Sequence, residues 1–163
     1  MSRSLKTTLW IVLYFLLALS PLIVLLVIPR PPLREFWREF AVALGFAGLA
    51  LMGLQFIPTA RLPILGSALP TDTVYHFHHH VSLISMGLIL AHPAILILNN
   101  PYVLQLLNLA TAPWRARAGV TAALGVVVLV VLSVWRKQLR VIYEAWRISH
   151  AALAVLACGL AMW

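Results

Sequence analysis

The sequence predicts an all-α fold, a polytopic transmembrane helical bundle with five spans in one domain over residues 1–163. Three observations predict it. The 163-residue chain is 63% hydrophobic and only 10% charged, more apolar surface than a soluble domain of this size can bury. Its apolar residues fall into five long runs, roughly 9–28, 40–57, 74–98, 118–135 and 146–163. The six tryptophans, Trp10, Trp37, Trp114, Trp135, Trp146 and Trp163, all lie near run ends, where an amphipathic ring settles at headgroup level.

The first run is about 20 residues long, enough to cross a bilayer and longer than the core of a signal peptide. A short basic stretch precedes it, and "PRPP" at 29–32 follows it with no small-x-small cleavage pattern. We therefore expect an uncleaved first helix, stopped where proline removes the amide donor and restricts the residue before it. In the second run Gly45, Gly48 and Gly53, with Ala41, form an expected small face for close helix packing. "PTARLP" and "GSALPTD" separate the second run from the third, and "NNPY" closes the third. The segment "YVLQLLNLATA" is expected to lie along the interface as a short amphipathic helix. "WRKQLR" closes the fourth run, and the fifth begins at Trp146. Pro21 and Pro93 fall inside runs, where neighbouring helices accommodate a kink.

Twelve Arg and Lys against four Asp and Glu give a net charge of +8. In this setting the basic residues read as membrane-flanking loops, and no polar folded face offers a nucleic-acid footprint. With the N-terminus inside, seven basic residues fall on the cytoplasmic side (Arg3, Lys6, Arg61, Arg136, Lys137, Arg140, Arg147) and five outside (Arg30, Arg34, Arg38, Arg115, Arg117). The excess favours a cytoplasmic N-terminus in a cell membrane. Cys158 is the single cysteine, which excludes a disulfide framework and a thiolate metal site.

The chemistry concentrates in "YHFHHHVSLISMGLILAHP", residues 75–93, where His76, His78, His79 and His80 cluster and His92 follows deep in apolar sequence. Helical phase chooses among them. Fourteen steps from His78 to His92 end about 40° short of four turns, so those two share a face. His76, His79 and His80 miss that face by roughly 120° or more. The rise from His78 to His92 is about 21 Å, which puts one ring near each edge of the hydrocarbon. In the fifth run "YEAWRISHAALAVLACGLAMW" places His150 one turn past Trp146. The third and fifth spans run in the same direction, so His78 and His150 enter at matched depth near the cytoplasmic side. Two imidazoles at one depth on two helices suit axial ligation of a haem iron from both faces, an arrangement that favours electron transfer. His92 would supply half of a second site, whose partner is expected at position 164, directly after the last residue.

"FHHHVSLISMGLILAHP" and "YEAWRISHAALAVLA" resemble the third and fifth helices of the ferric reductase-like transmembrane domain, shared by ferric reductases, NADPH oxidases and related flavocytochromes. The likeness runs from about Phe36 to the end. It implies a six-helix bundle holding two stacked b-type haems, with electrons passing from a cytoplasmic FAD and NAD(P)H dehydrogenase domain or subunit to an acceptor outside. On that resemblance His78 and His150 ligate the inner haem and His92 the outer one. Arg140 and Arg147, or Lys137, would meet the inner propionates, and Arg115 or Arg117 the outer ones. The sixth helix, the fourth histidine and the flavin portion are not in the chain, which therefore reads as a fragment or as a component completed by partners.

Two other classes compete. "HFHHH" could serve a metal-ion binding or transport protein, with His79 and His80 as ligands. No Asp or Glu lies deep within a run to accompany a translocated cation. A non-catalytic membrane anchor would leave every histidine replaceable, and His92 without a reason.

Overall fold

A computed structural model describes residues 3–28, 35–60 and 70–163. Among these the fold is helical with no strand. The "PRPP" break, Arg30, Arg34, Arg61 and the segment through residue 69 lie outside the described residues. Helix α1 covers Arg3–Val27, α2 Phe36–Leu54, α3 the single turn Phe56–Thr59, and α4 Thr71–Asn99. A 3₁₀ helix at Pro101–Leu107 precedes α5, Trp114–Val134, and α6, Tyr143–Ala161. The chain is a polytopic membrane protein. Ser4–Val27, Phe36–Thr59, Thr71–Asn99 and Trp114–Val134 are each long and apolar enough to cross a bilayer.

The expected fifth span is helical but is not among those four. Its first two turns carry Glu144, Arg147, Ser149 and His150, which dilute an otherwise apolar helix. Both internal prolines sit within continuous helix, Pro21 in α1 and Pro93 in α4. Helix α1 starts six residues before the expected span, so Trp10 lies in its third turn while the other five tryptophans stay at helix ends.

The chain forms two compact units, Met1–His92 and Pro93–Trp163. In the first, Tyr14 and Ala18 of α1 pack with Leu51 of α2 and Val81 of α4, flanked by Leu54, Phe77 and Leu88. The phenol of Tyr14 donates to the Leu51 carbonyl at 2.7 Å. That carbonyl belongs to the last turn of α2, which runs out of intrahelical donors where α2 gives way to Gln55 and α3. A buried hydroxyl and an orphan carbonyl thereby satisfy each other.

Helices α2 and α4 meet through small residues. A Cβ on Gly48 would lie 2.9 Å from Ile89 Cγ1 and 3.1 Å from the Ile89 backbone nitrogen, so only a bare backbone fits. Ala41 is fully buried. Gly53 departs from the expected small face, because nothing lies within 4 Å of the Cβ it lacks. Five residues past Gly48 is about 140° further round the helix, away from the Ala41–Gly45–Gly48 stripe.

In the second unit the expected interfacial amphipathic helix is a short 3₁₀ helix instead. Asn100 caps it by accepting from the Tyr102 amide at 3.1 Å. Asn108 turns the chain by accepting from the Ala110 amide at 3.0 Å. Pro113 then leads into α5. Helices α5 and α6 pack as an antiparallel pair, with Ala118, Ala122 and Val126 buried on one and Ala157 and Cys158 on the other. The turn between them contains Arg140 at φ 52°.

Candidate functional site

Five of the six histidines ride on α4 and the sixth on α6. Burial divides them as helical phase does. His78, His92 and His150 are half-buried, and His76, His79 and His80 are exposed. His80 turns its Nδ1 to the His76 carbonyl of its own helix, 2.7 Å away, and His79 and His80 meet edge to face.

The three half-buried rings share one device: each presents Nδ1 to an oxygen on the neighbouring helical segment of its own unit. His92 Nδ1 is 2.8 Å from the Ala41 carbonyl, which can only accept, so the ring donates. His150 Nδ1 is 2.9 Å from Ser133 Oγ. The Ser133 hydroxyl has a single proton, and it goes to the Leu129 carbonyl at 2.7 Å, so here too the ring donates. His78 Nδ1 is 2.6 Å from Gln55 Oε1, whose amide nitrogen donates to Ser82 Oγ at 3.0 Å. Donation from Nδ1 leaves the lone pair of a neutral imidazole on Nε2. This is the tautomer and the anchoring by which metal-ligating histidines are commonly held. The donor set therefore fits axial ligation of a haem iron.

Local packing supports each ring. Gly45 lies against His92, where an added Cβ would come within 3.1 Å of both Cγ and Nδ1. The Trp146 ring sits 5.2 Å from that of His150, and its indole nitrogen reaches Ser133 Oγ at 3.4 Å, a marginal bond. Arg136 lies over the Tyr143 and Trp146 rings at 5.4 and 5.3 Å.

The basic residues expected to meet propionates are variously engaged. Arg147 pairs with Glu144 at 2.8 Å, with both side chains 62% exposed. Arg140 is exposed in the left-handed turn, and Lys137 is exposed beside it. Arg117 is tied to its own loop, donating to the Ala112 carbonyl at 2.6 Å and the Ala110 carbonyl at 2.9 Å. Among the described residues no three His, Cys, Asp or Glu side chains converge as a metal-ion site. The His79 and His80 alternative gains no geometric support.

Sequence reasoning missed the oxygens that hold the rings: the Ala41 carbonyl, Gln55 with Ser82, and Ser133. A signal was present for Gln55, the one polar side chain in the uncharged stretch 40–57, and it is 5% exposed. No comparable signal marks a backbone carbonyl.

A family model described as "Ferric reductase like transmembrane component" matches residues 44–161, which include all three half-buried histidines. The chain belongs to this ferric reductase-like family. No curated protein and no solved structure matches it. Family membership makes it a multi-pass membrane protein of transmembrane electron transfer. In this ferric reductase-like chain α1 lies ahead of the matched region, whereas Gly45, Gln55, Ser133 and both antiparallel helices of the second unit fall within it.

Proposed function

We propose that this ferric reductase-like chain carries electrons across the cell membrane through bis-histidine b-type haem, as the membrane part of a flavocytochrome. The observation that carries the proposal is the coincidence of three independent selections on His78, His92 and His150. They are the residues that the sequence resemblance assigns to haem, the half-buried rings, and the rings fixed by an oxygen of a neighbouring helical segment as Nδ1–H tautomers. In this reading His78 and His150 are the axial pair of the inner haem, and His92 serves the outer one. The pairing itself comes from the family pattern. Arg140 and Arg147 are assigned to the inner propionates by charge alone.

When bound, haem takes up and gives up one electron at a time. The chain's own residues bind it, hold the rings in one tautomer and exclude water with apolar helix. Occupation of both axial positions leaves no coordination site for oxygen, which suits transfer over oxygen activation. The electrons would enter from an FAD and NAD(P)H dehydrogenase domain or subunit on the cytoplasmic side, where the N-terminus is also placed. The whole chain can be treated as one haem-binding domain over residues 1–163.

The test is purification in detergent with haem supplied. A low-spin, six-coordinate visible spectrum is expected, and His78→Ala and His150→Ala should each remove the inner component. A chain that purifies folded but shows no Soret band above that of free haem overturns the proposal.

A further inference from the structure

Gln55 is a buried amide in a membrane helix, and its two ends do different things. It sits where α2 yields to α3, with backbone angles φ −64° and ψ −20°, and is 5% exposed. Its Nε2 donates to Ser82 Oγ at 3.0 Å, and its Oε1 faces His78 Nδ1 at 2.6 Å. Ser82 is one helical turn beyond His78 on α4, so the amide is held at two points on one face of that helix. This attachment decides which end meets the imidazole. With the amide nitrogen on Ser82, the oxygen is left for the ring.

The buried hydroxyls of Ser85 and Tyr14 do something simpler. Ser85 bonds to the Val81 carbonyl at 2.7 Å, and Tyr14 to the Leu51 carbonyl at 2.7 Å, each closing on backbone. Gln55 instead spends its acceptor on a side chain. A neutral amide oxygen 2.6 Å from Nδ1–H pulls on that proton and raises the electron density at Nε2, the atom that would face a metal. Rotation of the ring about its side-chain bonds would break this bond, so the amide also holds the ring plane.

We infer that Gln55 is the positioning residue of His78: through Ser82 it holds the ring's tautomer and plane, and so sets the affinity and potential of the haem that His78 ligates. The inference rests on the haem reading above and goes beyond it by assigning a role outside the histidines. Ser133 stands in the same relation to His150, as a hydroxyl rather than an amide.

The experiment compares the full chain with Gln55→Met, Gln55→Glu and Ser82→Ala. Gln55→Met keeps the length and apolar fit but removes the acceptor. In the haem-free chain, ¹⁵N-histidine NMR should show His78 as the Nδ1–H tautomer, and the Met variant should lose that preference. In the haem-loaded chain the Met variant should retain haem about 10–100-fold more weakly. Its midpoint potential should rise, because the ring donates less to iron. Gln55→Glu restores an oxygen and should return the potential to the wild-type value or below it. Ser82→Ala should shift it in the same direction as Met, by less. If the wild type binds haem and Gln55→Met keeps the wild-type tautomer, affinity and potential, Gln55 has no positioning role while the haem reading stands. If the wild type itself binds no haem, both fall. Should Gln55→Met fail to fold, a wild-type potential and tautomer in Ser82→Ala overturn the inference.

Discussion

His92 and Ala41 are joined across two helices by a hydrogen bond of 2.8 Å from the imidazole Nδ1 to a backbone carbonyl, one turn before Gly45, which lies against the same ring. The bond requires close approach, and the missing side chain at Gly45 permits it.

Gly45→Ala should therefore act on His92 before it acts on the fold. The added methyl would sit 3.1 Å from Cγ and Nδ1, so the ring must yield by a few tenths of an ångström and the bond to Ala41 must bend. A weaker outer haem with an unchanged inner one is the expected result, read from the two components of a redox titration. Gly53→Ala is the control. It meets nothing within 4 Å and should be neutral or stabilising by about 0.5–1 kcal/mol.

Gly48→Ala tests the helix contact alone. Its Cβ would fall 2.9 Å from Ile89 Cγ1 and 3.1 Å from the Ile89 backbone nitrogen, and the latter cannot move without shifting α4. Overpacking of this kind costs about 1–3 kcal/mol. Thermal unfolding in detergent should show a lower midpoint for Gly48→Ala than for Gly53→Ala, and equal midpoints would contradict the packing described.

Ser133→Ala leaves the Nδ1–H of His150 without the hydroxyl that accepts it. Removing one partner of such a bond costs about 1–3 kcal/mol when the remaining group stays buried. We expect weaker haem binding and altered low-spin electron paramagnetic resonance. Ser149→Ala, which removes only a bond to the Trp146 carbonyl within the same helix, should change neither.

Tyr14→Phe separates packing from hydrogen bonding. The ring's edge-to-face contact with Phe77, at 4.9 Å between centroids, is kept, while the donor to Leu51 is lost. A loss of about 0.5–1.5 kcal/mol is expected, with no change in any haem spectrum, because the bond removed ends on the Leu51 backbone.

Replacing His79 and His80 together by alanine separates the haem reading from a metal-collecting cluster. Both rings are exposed, and their contacts are to each other and, for His80, to the helix's own backbone. Visible spectra should be unaffected. Loss of tight zinc or copper binding together with loss of function would favour the cluster.

Much of this was legible in the sequence because periodicity is a local property. Phase along one helix singles out His78 and His92 among five histidines, and the half-buried rings on α4 are those two. Apolar length similarly announces the four helices that are long and apolar enough to cross a bilayer. The fifth helix tested the limit of that argument, since a few polar residues at its start remove it from the set without preventing the helix.

Partnership across helices was not legible. Nothing in the order of residues says that the carbonyl of Ala41, the amide of Gln55 or the hydroxyl of Ser133 is the oxygen a given imidazole will find. Gly53 is different, because helical phase alone takes it off the stripe on which Gly45 and Gly48 lie. The sequence alone determined which histidines share a face, because helix geometry repeats every few residues. Only the tertiary structure decided what holds them, because a hydrogen bond is set by distances between helices that no local period encodes.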